Sequence, residues 1–128
     1  MRNCQQILDF DSYKFCIDTE SFSTFKQAFE SDEKLRDKFL DRAKAIGRGL
    51  ANKDIYEKLS GFNTLWEIKL FKQSKGRNFR FYCKQIESED QTIYIILVEL
   101  LQKKSQKIPK EIRKKLKKVD NYEYKIQG

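Results

Sequence analysis

The sequence predicts an α+β fold in which helices pack against one face of an antiparallel sheet of about four strands. Three observations favour this class. Apolar side chains first alternate with polar ones, then recur every three or four residues, and after residue 65 form short aromatic and aliphatic runs between polar turns. The expected order is strand, helix, helix, strand, strand, strand, helix, within a single domain over residues 1–128.

The first strand and the two N-terminal helices follow from periodicity. Residues 13–18 alternate as a half-buried strand does. A helix capped by Thr19 or Ser21 then places phenylalanines at positions 22, 25 and 29 on one side, and a second helix begins after Ser31. Gly47 and Gly49 supply the positive backbone dihedrals that end a helix. The second helix carries an apolar stripe expected in the core: Leu35, Phe39, Ala43, Ile46 and Leu50.

An antiparallel meander and a basic helix complete the prediction. After a connection over 52–60, three strands are expected over 66–71, 79–84 and 92–101. Pro109, the only proline, suits the first turn of a helix that continues to about Val119. Its inward side would carry Ile112, Leu116 and Val119. Residues 121–128 are expected to be a flexible tail.

The net charge of +8 is concentrated near the C-terminus. Residues 101–118 hold nine basic residues and one acid, Glu111, whereas the other 110 residues carry 18 basic and 18 acidic groups. A local cationic segment indicates contact with a polyanion, although a lysine-rich solvated helix face is the ordinary alternative. A membrane-surface helix is disfavoured, because the apolar stripe of this segment lacks an aromatic anchor.

The composition excludes several classes of site. The chain has no histidine, so imidazole-based triads are excluded and any catalysis must use Lys, Arg, Glu, Asp or Tyr. Cys4, Cys16 and Cys83 are widely spaced and predicted to be free structural thiols, with no metal site. Neither a membrane-spanning run nor a secretion signal is apparent, so we expect a cytoplasmic protein without membrane contact.

One predicted hairpin gathers polar side chains. If the turn over 72–77 closes symmetrically, Lys69 lies opposite Arg80 and Glu67 opposite Tyr82, all on a sheet face left free. Such cross-strand groups are also common on ordinary surfaces. The other face would collect the apolar side chains that contact the helices: Trp66, Ile68, Leu70, Phe79, Phe81 and Cys83.

Several motifs resemble the RelE/ParE toxin superfamily, in particular its HigB-like, phage-derived branch. These are LSG at 59–61 leading into LWEIK at 65–69, FRFY at 79–82, and QKKSQKIP at 102–109, which is similar to the K-K-T-Q-K-x-P ending of that branch. The motifs span 59–111, and the element order extends the resemblance to 13–119. Glu99 stands where many HigB-like proteins carry a histidine, so an imidazole mechanism is not carried over.

The resemblance implies the toxin of a type II toxin-antitoxin system, an mRNA interferase that cleaves messenger RNA on the ribosome and so inhibits translation. Its partners would be a cognate antitoxin, the ribosome and messenger RNA, and no cofactor is expected. Members that poison gyrase share the fold without RNA chemistry, and a noncatalytic RNA-binding module is a third reading.

Cleavage by a ribose 2′-oxygen, without a metal, needs a proton acceptor, cations for the phosphate and a proton donor. Arg80 is assigned to the phosphate, with Lys103, Lys104 and Lys107 adding positive potential for RNA. The other candidates are Glu67 or Glu99 as proton acceptor, Lys69 as base or electrostatic stabiliser, and Tyr82 as stacking group or proton donor.

Overall fold

The described residues of this computed structural model, 1–71, 78–104 and 107–127, form a mixed sheet of seven strands with helices on both faces. The strands are β1 (Arg2–Asp9), β2 (Tyr13–Asp18), β3 (Tyr56–Lys58), β4 (Leu65–Leu70), β5 (Phe79–Glu87), β6 (Ile93–Gln102) and β7 (Tyr124–Gln127). The helices are α1 (Phe22–Ser31), α2 (Glu33–Gly47) and α3 (Lys110–Val119).

This sheet corrects the predicted fold class, which was an antiparallel sheet of about four strands. Within the described residues the strand order is β3-β4-β5-β6-β2-β1-β7. Strand β2 runs parallel to β6, and β7 runs parallel to β1, whereas the other neighbours are antiparallel. The nearly continuous apolar run over 93–101 is typical of a strand buried on both faces. Such a strand does not fit a sheet covered on one face only.

Strands β1, β3 and β7 depart from the prediction for different reasons. Strand β1 pairs with β2, but its register shifts between Gln6 and Leu8, and its side chains do not alternate regularly in polarity. Strand β3 has three residues, too few for a period of two to be recognised. Strand β7 lies within the segment 121–128 that was expected to be a flexible tail, and it pairs with β1.

Helices α1 and α2 lie where their periodicity predicted and cover one side of the sheet, here called the α1/α2 face. Asp32 caps α2, because its carboxylate accepts a hydrogen bond from the Leu35 amide at 3.1 Å. Leu50 lies beyond the end of α2 and is 70% exposed, so it does not belong to the apolar stripe. The buried core on this face contains Phe15, Ile17, Phe25, Leu35, Phe39, Ala43, Ile46, Ile68, Leu70, Phe81, Cys83, Ile95 and Leu97.

Helix α3 packs on the opposite side, the α3 face, which corrects the expectation that the helices share one face. Its residues Leu116 and Val119 are buried. They belong to a second core with Cys4, Cys16, Leu59, Phe62, Leu65, Tyr82, Ile96 and Val98. Both sides of the central strands are therefore covered.

Polar groups anchor the end of α3. The Nζ of buried Lys84 donates to the carbonyls of Val119 and Asp120 at 2.9 Å each. The carboxylate of Asp120 accepts from the amides of Asn63 at 2.9 Å and Thr64 at 2.8 Å. The bonds from Lys84 satisfy carbonyl groups that a helix end otherwise leaves without partners, and the bonds to Asp120 tie that end to the residues before β4.

The three cysteines are free and buried, as predicted. Cys4 and Cys16 lie on the α3 face, and Cys83 lies on the α1/α2 face. Within the described ranges, every helix is too short or too polar to cross a membrane.

Candidate functional site

The predicted register of the β4–β5 hairpin is confirmed. Lys69 pairs with Arg80 and Glu67 with Tyr82, without a bulge between β4 and β5. All four residues lie on the α3 face, because Ile68 and the other residues that alternate with them along β4 and β5 belong to the core of the α1/α2 face. The alternation of side chains along the two strands was therefore sufficient to bring these residues together.

The face that carries them is not open to solvent, so the prediction of a free face is wrong. Glu67 is 9% exposed, Lys69 8%, Arg80 4% and Tyr82 0%. Tyr82 belongs to the core that includes Leu116 of α3. The prediction placed all helices on the other side of the sheet and therefore left this side without a cover.

Carboxylates pair with Lys69 and with Arg80. The Nζ of Lys69 donates to Oε1 of Glu57 at 2.9 Å. The Nε of Arg80 lies 3.4 Å from Oε1 of Glu67, and its Nη1 donates to the side chain of Asn78. Glu57 and Glu67 are themselves cross-strand partners on β3 and β4. Two carboxylates directly opposite repel each other, and the two cations offset this repulsion.

Tyr82 lies between two carboxylates. Its cross-strand partners are Glu67 on β4 and Glu99 on β6. Its hydroxyl is buried and has no hydrogen-bond partner in the described part of the chain. Burial raises the pKa of Tyr82 to about 12, with Glu67 and Glu99 adding to the rise and Arg80 opposing it. The phenol is therefore a weaker acid than an ordinary tyrosine, and it is protonated at neutral pH.

Glu99 connects this region to α3. It is half-buried, and its Oε2 accepts from the Nζ of Lys115 at 2.7 Å. Lys115 also donates to the carbonyl of Val98 at 3.3 Å.

The pairing of β5 with β6 shifts between Tyr82 and Cys83. Such irregularities re-aim side chains and are frequent beside active sites. We call Glu57, Glu67, Lys69, Arg80, Tyr82 and Glu99 the polar cluster.

Lys103 lies next to Arg80 at the end of β6. Its amide donates to the carbonyl of Asn78 at 2.6 Å, which continues the β5–β6 pairing by one residue. Because Leu101 is the partner of Arg80, Lys103 is its diagonal neighbour, a position about 7–8 Å away in antiparallel sheets. Lys103 is half-buried, whereas Lys104 and Lys107 are exposed. The row Lys69, Arg80 and Lys103 is thus the cationic part of the site.

Three of these contacts were not predicted. Glu57 lies on β3, in a segment that was read as a connection. Asn78 immediately precedes β5, and Lys115 flanks the inward side of α3, so it meets the sheet only because α3 packs on that face. For Glu57 the β-favouring Tyr56 beside it was the one local signal. Lys115 gave none.

No family model, curated protein or solved structure matches the chain. Among the described residues, no three His, Cys, Asp or Glu side chains lie together as a metal site would require. The site contains the guanidinium of Arg80, which can bind two oxygens at once, and a second cation at Lys69. It also contains the carboxylates of Glu57 and Glu67 and the protonated phenol of Tyr82. These are groups that general acid-base chemistry on a phosphate diester uses.

Proposed function

We propose that this protein is the toxin of a type II toxin-antitoxin system, a ribosome-dependent mRNA endonuclease that acts in the cytoplasm. The observation that carries the proposal is the cross-strand pair Lys69 and Arg80 with Tyr82 beside it and Lys103 at the diagonal position. The motifs that resemble the HigB-like branch of the RelE/ParE superfamily include all four of these residues.

The proposed mechanism is an exchange of partners at Arg80. The guanidinium binds two oxygens of the scissile phosphate in place of the Glu67 carboxylate, because a guanidinium fork fits both groups. Glu67 is then free to take the proton of the attacking ribose 2′-hydroxyl. Lys69 stabilises the developing negative charge, and the protonated hydroxyl of Tyr82 donates to the leaving 5′-oxygen. When the phosphate displaces Glu67 from Arg80, the guanidinium therefore becomes available to the phosphate and the carboxylate becomes available as a base.

The burial of the cluster accounts for a dependence on the ribosome. Arg80 and Tyr82 are 4% and 0% exposed, so free RNA meets a closed and neutralised site. A messenger held in a fixed conformation needs less ordering to reach the reactive geometry. The ribosome supplies that positioning in this proposal.

The antitoxin is proposed to bind over the same region. Lys104 and Lys107 are exposed beside the cluster in sequence, and Lys103 is half-buried at its edge. An acidic segment complements such cations and would block the approach of RNA. Copurification with the product of a neighbouring gene tests this partner.

A second candidate function is a noncatalytic RNA-binding module. It is favoured by the ion pairs of Lys69 with Glu57 and of Arg80 with Glu67, which occupy the cations as a purely structural network would. In that case the polar cluster stabilises the sheet, and RNA is bound by the basic C-terminal segment alone.

The experiment that separates these functions is induction of the protein in bacterial cells. Messenger 5′ ends are mapped on ribosomes, and gyrase-linked DNA breaks are mapped in the same culture. We expect codon-phased messenger ends without DNA breaks. Breaks without such ends would assign the chain to the gyrase-poisoning class. The absence of both, with RNA still bound, would leave the noncatalytic module.

A further inference from the structure

The outward side of α3 carries four lysines, Lys110, Lys114, Lys117 and Lys118, which we call the α3 lysine face. At 100° per residue they lie opposite the buried side chains of Leu116 and Val119. All four lysines are exposed. Tyrosine, phenylalanine and tryptophan are absent from the helix.

The flanks of α3 fix this orientation. On one flank the guanidinium of Arg113 lies 5.2 Å from the centre of the Phe62 ring. On the other flank Lys115 pairs with Glu99 at 2.7 Å. Lys84 binds the carbonyls at the end of the helix. The two flanking cations are engaged with the sheet side, and the four lysines of the outward side are left to solvent.

The outer sides of the other helices carry ion pairs between opposite charges, whereas the one acid of α3, Glu111, pairs with none of the four lysines in the described part of the chain. Lys26 of α1 lies 3.9 Å from Glu30, and Arg36 of α2 lies 3.6 Å from Glu33 and 3.4 Å from Asp37.

On the α3 lysine face, in contrast, none of the four lysines has a carboxylate partner in the described part of the chain. Lysines four residues apart repel each other, and Lys110 lies at the helix end that disfavours a cation. Lys117 and Lys118 lie in the last turn, where the helix dipole favours cations, so helix stability accounts for these two lysines but not for Lys110 and Lys114.

We propose that the α3 lysine face binds the phosphate backbone of double-helical RNA, at a surface separate from the polar cluster. The inference goes beyond the proposed function, since it does not require cleavage. Single strands are held by stacking on aromatic side chains, which α3 lacks. Double-helical RNA is instead recognised through its backbone across a wide and shallow groove.

The packing of α3 favours RNA over two other polyanions. Reading a DNA duplex uses side chains such as Arg, Asn and Gln on base edges in the major groove, whereas the outward side of α3 carries lysines, which suit contact with a phosphate backbone. Binding to an anionic membrane would use apolar side chains for insertion, but Leu116 and Val119 are buried in the core.

The test compares two triple variants that remove the same charge. Lys114→Gln, Lys117→Gln and Lys118→Gln together neutralise the α3 lysine face, and the control replaces three exposed lysines elsewhere: Lys34, Lys44 and Lys53. Binding of a labelled RNA duplex of about 20 base pairs, longer than the span of one duplex-binding domain, is measured by fluorescence anisotropy over a range of salt concentrations.

We expect the α3 variant to bind at least about tenfold more weakly, with the slope of log K against log salt reduced by about two to three, since each lost phosphate contact removes about 0.7–0.9. The control should stay within about twofold of wild type, because its lysines lie away from the binding surface. Circular dichroism checks that both variants fold, and the single variant Lys117→Gln should reduce the slope by about one.

An unchanged slope in the α3 variant, or an equal loss in the control, would overturn the inference. Tighter binding of a DNA duplex of the same length, or of vesicles containing phosphatidylserine, would reassign the face to DNA or to membranes. Duplex binding by a wild-type protein that does not cleave messenger on ribosomes would count against the proposed function alone.

Discussion

At the scale of single residues, Tyr82 carries a polar atom that the described fold leaves unsatisfied. Its hydroxyl is buried without a hydrogen-bond partner, between the cross-strand neighbours Glu67 and Glu99. An unpaired buried hydroxyl costs about 1–3 kcal/mol of folding free energy. A phenylalanine would fill the same space without that cost, and we propose that the hydroxyl has a chemical role.

The variant Tyr82→Phe tests this explanation. We expect its free energy of unfolding in urea to be unchanged or raised by up to about 1 kcal/mol, because the unpaired hydroxyl is removed. Messenger cleavage should fall by about 10²-fold or more, since a proton donor is lost. Tyr56→Phe is the matched control: its hydroxyl donates to Oε1 of Gln85 at 2.8 Å, so stability should fall while cleavage stays unchanged.

The same tyrosine predicts a change in alkaline stability. The pKa of Tyr82 is about 12 in the folded protein against 10.0 for an ordinary tyrosine. Between these values the unfolded chain loses the proton first, so the stability due to the neutral phenol is lost as pH rises through that window. Tyr82→Phe should therefore lose less stability than wild type between about pH 10 and pH 12. An identical loss in both proteins would contradict the assignment.

At the scale of elements, α3 determines how closed the polar cluster is. It covers Tyr82 with Leu116 and reaches Glu99 through Lys115. Two buried apolar side chains, the ion pair of Lys115 with Glu99, and the bonds of Lys84 and Asp120 at the helix end hold it in place. The accessibility of the site therefore depends on how firmly this short helix is attached.

Replacing Lys84 with Met should weaken that attachment. The carbonyls of Val119 and Asp120 lose their shared donor, so we expect the free energy of unfolding to fall by about 1–3 kcal/mol. Hydrogen exchange should speed up in α3 more than in β5. Lys14→Met, which removes a more exposed ion pair with Asp9 at 3.1 Å, should lower the free energy of unfolding less than Lys84→Met does. Equal effects of the two variants on α3 would show that Lys84 does not anchor it.

Local patterns predicted some elements well and others poorly. The periodicity of residues 22–46 was enough to place α1 and α2, and the alternation in β4 and β5 was enough to pair Lys69 with Arg80. The parallel pairing of β2 with β6 joins residues about 80 positions apart in sequence, and no local pattern encodes such a contact. The burial of Lys84 and Arg80 follows from where α3 docks, which its own amphipathic stripe does not specify.

At the scale of the whole molecule, charge is divided between two surfaces. The polar cluster pairs its cations with Glu57 and Glu67, whereas the four lysines of the α3 lysine face form no ion pair among the described residues, with Glu111 as the one acid of that helix. The first surface is closed and neutral, and the second is open and cationic. In this account the open surface attracts RNA, and the closed surface acts only when a phosphate displaces Glu67 from Arg80.

The central claim is that Arg80 binds the scissile phosphate, and the most direct test is the rate at which purified ribosomes carrying a defined messenger are cut. Arg80→Lys keeps the positive charge beside Glu67 but loses the guanidinium fork, so we expect a rate about 10²–10³-fold lower in a folded variant. The control Arg2→Lys changes the ion pair with Asp18, at 2.9 Å and outside the polar cluster, and should cut at the wild-type rate. Wild-type cleavage by a folded Arg80→Lys variant, or no cleavage by the folded wild-type protein, would contradict the claim.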